Sequence, residues 1–177
     1  MAVIDADDLV SAFSLPGQEL GTAHPETIAT RMMEDPEHKH LRENEIRIAY
    51  LFRHESKVKG GKCILGSVHE PTCQGELRNL FEWMLERLFG CMPDYVMILD
   101  KGFWDSVTPQ TREALVYHEL CHIKQKLDEY GAPKFNRQTG LPIYGLVAHD
   151  LEEFNAVAAK YGAWSPDIAD FIAAARG

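Results

Sequence analysis

Hydrophobic positions recur along the chain in two rhythms. Over residues 45–52 they alternate, with Ile46, Ile48, Tyr50 and Phe52 on one side and Arg47 and Ala49 on the other. That period marks a half-buried strand. Lys62 to His69 reads as a second strand, after a basic, glycine-containing turn at 57–61. Tyr95 to Leu99 is a continuous apolar run after Pro93, as in a strand covered on both faces. The second rhythm is helical. Leu77, Leu80, Phe81, Met84 and Leu88 form a stripe over 76–89, and Gly90 is its stop. Val116, Leu120, Ile123 and Leu127 form another. Thr108 suits its N-cap and Pro109 its first position, and neither Pro nor Gly interrupts 110–130 before Gly131 and Pro133. Residues 25–34 predict a helix around Ile28 and Met32. Leu151, Phe154, Ala158 and Tyr161 predict one beginning at His149, and Ser165-Pro166-Asp167 caps a last one through Ala175. Residues 1–24 are weakly patterned, with a helical turn at 7–13 before Pro16-Gly17, and read as a loosely ordered N-terminal extension. This order predicts an α+β fold, a small mixed sheet packed against helices, as one domain over 1–177.

Composition adds exclusions. A chain of 177 residues with 45% hydrophobic content supports its own core. A net charge of −9 leaves no basic footprint for nucleic acid, so no nucleic-acid partner is expected. No apolar run is long enough to span a membrane. The four cysteines, Cys63, Cys73, Cys91 and Cys121, form no C-x-x-C pair, and Met1 to Phe13 is acidic where a secretory leader is basic. Reduced thiols and a cytoplasmic location follow as expectations. Arg53, His54, Lys57 and Lys59 read as a polar hairpin tip, His38 and His40 as surface, Trp83 as core or groove wall, and Cys121 as a small core residue. Cys63 and Cys73 with His69 form a weaker candidate for a second zinc site.

The chemistry lies in His118-Glu119-Leu120-Cys121-His122. On a helix the histidines project from one face and can hold one Zn²⁺. Glu119, at the edge of that face, is placed to take a proton from metal-bound water, whose pKa the metal lowers towards ~7. His149, 27 residues downstream, is the candidate third ligand. Glu153, four residues further on, is the alternative ligand, and it or Asp150 is also a candidate to orient a ligand imidazole. Tyr144, in the glycine-flanked loop 140–145, is a candidate oxyanion donor.

These segments, with Tyr161-Gly162-x-Trp164, resemble the putative phage metallopeptidase family, over roughly 45–164. They are more distantly similar to SprT-like zincins. Gln125 stands where metzincins carry Gly, and Ala156 and Val157 depart from the thermolysin pattern. The resemblance implies a minimal zincin-like domain with an HExxH active-site helix. It also implies one Zn²⁺ per chain and a third histidine ligand at His149, in the cytoplasm of a phage host. The expected activity is a zinc metallopeptidase with Glu119 as general base and a peptide or protein substrate. Two alternatives accompany it: a non-catalytic zinc-stabilised module, and a zinc amidase acting on cell-wall peptide.

Overall fold

The structure, a computed structural model, describes residues 12–149, 163 and 166–176. Contacts group the chain into two compact units, Met1–Leu146 and Val147–Gly177.

The first unit is built on a four-stranded mixed sheet of strands β1 (Phe13–Ser14), β2 (Ile48–Arg53), β6 (Tyr95–Asp100) and β5 (Gly66–His69), in that order. β2 and β6 run parallel, Ile48 opposite Tyr95 through Arg53 opposite Asp100, and the outer strands are antiparallel to them. The α+β expectation and the mixed sheet are both present. β6 is buried along nearly its whole length, as its unbroken apolar run requires.

The basic turn is a separate hairpin of β3 (Lys57–Lys59) and β4 (Lys62–Ile64). The single strand expected over Lys62–His69 is therefore two. The break falls at Leu65, whose carbonyl accepts from Asp100 N at 2.8 Å, so β5 joins the main sheet while β4 stays in the hairpin. Arg53 is no hairpin-tip residue. Only 9% exposed, it pairs with Asp100 at 3.8 Å and donates to the Ile64 carbonyl at 2.6 Å.

The helices α1 (Pro25–Met32), α2 (Lys39–Glu43), α3 (Arg78–Phe89), α4 (Lys101–Ser106) and α5 (Pro109–Cys121) complete the unit. Local chemistry starts several of them. His24 Nδ1 accepts from Glu26 N ahead of Pro25, Asp100 from Phe103 N, and Thr108 from Thr111 N ahead of Pro109. The core joins Ile28, Leu41, Phe52, Met97, Leu99, Trp104, Val116, Leu120 and Ile123.

Two helical expectations need correction. The helix predicted over 110–130 ends at Cys121, because Ile123–Gln125 becomes strand β7 and pairs with β8 (Tyr144–Leu146). Leu127 is exposed and continues no stripe. Part of the loop expected at 140–145 is thus β8. The α3 stripe is amphipathic as read, yet no residue of α3 is buried. Phe13, expected in a helical turn, lies in β1; residues 1–11 are outside the described ones.

In the second unit the described residues hold one helix, Pro166–Arg176, where the last helix is expected. Beyond His149 the preceding expected helix lies outside the described residues. Among the described residues no helix is long and apolar enough to cross a membrane.

Candidate metal centre

α5 and its cap place two of the expected ligands. His118 is in the last turn, and His122 caps the helix with φ −68° and ψ −21°, still helical geometry. Helical spacing therefore survives the early end of α5, and the two ring centroids lie 5.1 Å apart at 84°. His149 lies three residues after β8. His118, His122 and His149 each offer one ligand atom, and these atoms all lie within 4.8 Å of one another. His118 and His149 are exposed and His122 is half-buried. Among the described residues this is the group that can hold a metal ion. Cys63 is exposed, and His69 Nε2 lies 3.0 Å from Ser67 Oγ.

The donor set fits a borderline-soft divalent ion. Imidazole nitrogens suit zinc, copper, nickel and iron. At ~2.0–2.1 Å from a tetrahedral ion, nitrogens stand roughly 3.3–3.4 Å from one another, so a contraction of at most about 1.5 Å from the observed upper limit completes the site.

Glu119 is not in this group. Each helical residue is turned by about 100° from the last, so the position after His118 swings inward. Glu119 is buried with Val116 and Leu120 and is 3% exposed. Its carboxyl lies against β5, where a Cβ added at Gly66 would stand 2.4 Å from Oε1. Burial, partly opposed by His122, pushes its pKa up to about 7, and Oε2 is buried with no hydrogen-bond partner. The expectation of a peptidase working through metal-activated water with Glu119 as base is overturned here. What the structure gathers is a three-histidine chelating cluster without a glutamate.

Tyr144 lies on β8. Its hydroxyl accepts from Asn44 Nδ2 at 2.9 Å, and its ring stacks on His40 with centroids 5.7 Å apart. Asp150 and Glu153 lie outside the described residues.

Sequence reading missed the support behind His122. His38, taken as surface, is fully buried, edge-on to Tyr117, with Nε2 3.9 Å from Cys121 Sγ. His40 Nε2 donates to the Ile123 carbonyl at 3.2 Å, and Lys124 pairs with Glu37. The segment around α2 thus grips both sides of the cap residue. An i, i+2 histidine pair gives no periodic signal of this, since its partners lie 79 or more positions away.

No curated protein and no solved structure matches the chain. The profile of the family described as "putative phage metallopeptidase" matches residues 22–176, which includes all three clustered histidines, and the chain belongs to that family.

Proposed function

We propose that this protein is a non-catalytic metal-binding phage module. In it His118, His122 and His149 hold one Zn²⁺ per chain and the ion stabilises the fold. The observation that carries this is the three-histidine cluster with Glu119 turned into the core. Three neutral imidazoles leave the ion's full charge in place, and one coordination position remains for solvent or a partner's side chain. A zincin-type scaffold belongs to the same reading. It is supported by α5, which carries His118 and caps with His122, packing beside β5. The family match over 22–176 supports a single domain with a short extension before it. The partner we assign is a protein or peptide, in keeping with the family description. A reducing host cytoplasm suits four cysteines of which none is in a disulfide.

The test is elemental analysis and zinc titration of the purified chain, together with digestion of a peptide library and of cell-wall peptides. One zinc per chain, a raised melting temperature and no cleavage are expected. No zinc uptake overturns the metal assignment. Chelator-sensitive cleavage that is lost in Glu119→Gln overturns the non-catalytic one.

A further inference from the structure

One edge of β2 is left unfinished by the sheet. Backbone groups of successive residues face the two neighbouring strands in turn. Arg47 O accepts from Asp94 N and Tyr95 N, so residue 47, and with it Ala49 and Leu51, faces β6. His54 N donates to Ala12 O, so residue 54, and with it Phe52, Tyr50 and Ile48, faces β1. Yet β1 pairs only with Phe52 and Arg53. The N–H and C=O of Ile48 and Tyr50 therefore point off the sheet, and no hydrogen bond among the described residues uses them.

The sequence explains why β1 stops. Its register puts Pro16 opposite Tyr50. Proline has no N–H to give the Tyr50 carbonyl. Its own carbonyl, the acceptor that Tyr50 N needs, takes His24 Nε2 at 3.3 Å instead. His24 Nδ1 accepts from Glu26 N, so the proton of the neutral ring stands on Nε2, and the contact that caps α1 also holds Pro16 away from the ladder.

A cavity of about 550 Å³ lies along this edge, within the size range of ligand pockets. Ile48 and Tyr50 line it together with Leu15, Leu88 and, on α1, Glu26 and Thr30. Three features select its occupant. Unpaired amide and carbonyl groups at strand spacing take an extended backbone, by β-augmentation. The edge is recessed, with Tyr50 7% and Ala49 8% exposed. A second copy's edge is recessed in the same way, so two folded sheets cannot bring these edges together, whereas a single peptide strand enters. Glu26 is exposed and in no ion pair among the described residues, while Arg47, the cation of the groove, is engaged by Asp94. With a net charge of −9 on the chain, the groove favours a cationic ligand.

We infer that the β2 edge at Ile48 and Tyr50 is a docking groove for an extended peptide segment of another protein, alternating basic and apolar side chains. The peptide adds a strand where Pro16 ends β1. The strand beside the metal-bearing helix is β5, beyond β6, and none of the three clustered histidines lines the groove, so the inference is independent of the metal assignment. Two residues offer only four backbone bonds, so the dissociation constant is on the order of 10–100 μM.

The probe is a fluorescein-labelled peptide of about eight residues alternating Lys and Val, titrated up to about 1 mM against the full chain. Saturable binding is expected, and the fully N-methylated analogue binds at least ~10-fold more weakly. By NMR hydrogen exchange, the Ile48 and Tyr50 amides exchange fast in the free chain and at least ~10-fold more slowly with peptide, while Ala49 and Leu51 are slow throughout. Glu26→Lys weakens binding roughly 5-fold or more with an unchanged circular dichroism spectrum, and Glu26→Gln, gentler to α1, weakens it in the same direction. No binding overturns the inference, as does equal binding of the N-methylated analogue or unchanged binding in both Glu26 variants. Slow exchange at Tyr50 in the free chain overturns it too: another segment of this chain then fills the edge, or a second copy does if dilution speeds the exchange.

Discussion

Gly66→Ala probes the placement of Glu119 directly. A Cβ at residue 66 stands 2.4 Å from Glu119 Oε1, 2.9 Å from Cδ and 3.0 Å from Cγ. Carbon atoms rest about 3.5–4.0 Å apart, so the carboxyl has to retreat by about 1 Å. It has nowhere to go, because Glu119 is 3% exposed and its helix neighbours Val116 and Leu120 are fully buried. Overpacking of this kind costs roughly 1–3 kcal/mol. Replacing a strand glycine by alanine returns about 0.5–1 kcal/mol through a less disordered unfolded chain. At the middle of these ranges the net loss is about 1 kcal/mol, or a melting temperature lower by roughly 2–4 °C for a chain of this size. Thermal and urea unfolding of metal-free protein measure it. The cycle closes with Glu119→Ala, in whose background Gly66→Ala is neutral or stabilising. Gly66→Ala as stable as wild type, or equally harmful without the Glu119 side chain, refutes the packing of that carboxyl on β5.

Zinc at 100 times its dissociation constant stabilises the folded chain by about 2.7 kcal/mol, read as a melting shift that chelator reverses and that His118→Ala, His122→Ala and His149→Ala each lose. Arg53→Met strands the buried Asp100 carboxylate and costs roughly 3–5 kcal/mol in urea unfolding, much of it regained by adding Asp100→Asn, which keeps the α4 cap. If the double variant is no better than the single, the pair is not what Arg53 supplies. Burial holds His38 below its ordinary value of 6.5, so its charged form is disfavoured in the fold. The stability it contributes is complete above pH 6.5 and declines as pH falls below it, so metal-free His38→Leu has a flatter acid limb in its pH–stability curve than wild type. Thr108→Ala removes the α5 cap and lowers stability by about 1 kcal/mol by the same unfolding assay.

Features set by neighbouring residues were legible in the chain. Thr108 and Pro109 start α5 as read because a cap and a fixed φ act locally, and His118 with His122 share a face because helical geometry alone decides it. The end of α5 was not legible. Ile123 continues the helical stripe in sequence but is taken by Leu146, a choice made across 23 residues. The α3 stripe was visible as a stripe, yet periodicity says which side is apolar and not whether anything lies over it. Glu119 was misread for a related reason. A motif names residue types in order, while the inward turn of its second residue depends on the strand packed beside it. His38 gave no signal at all, since what buries it is Tyr117 and Cys121, far along the chain.

The β7–β8 ribbon bears on the entropy of metal capture. His122 and His149 are 27 residues apart, and an unstructured loop of that length resists closure. The ribbon pairs Ile123 with Leu146, so the path between the two histidines shrinks to one residue, one rung and three residues. By the logarithmic law of loop closure, shortening from 27 residues to about four removes roughly 1.7 kcal/mol from the cost of bringing the ends together. Folding of the ribbon carries that cost before any ion arrives. Variants that loosen Ile123–Gln125 from Tyr144–Leu146 therefore weaken zinc binding by up to about 15–20-fold while leaving every ligand in place.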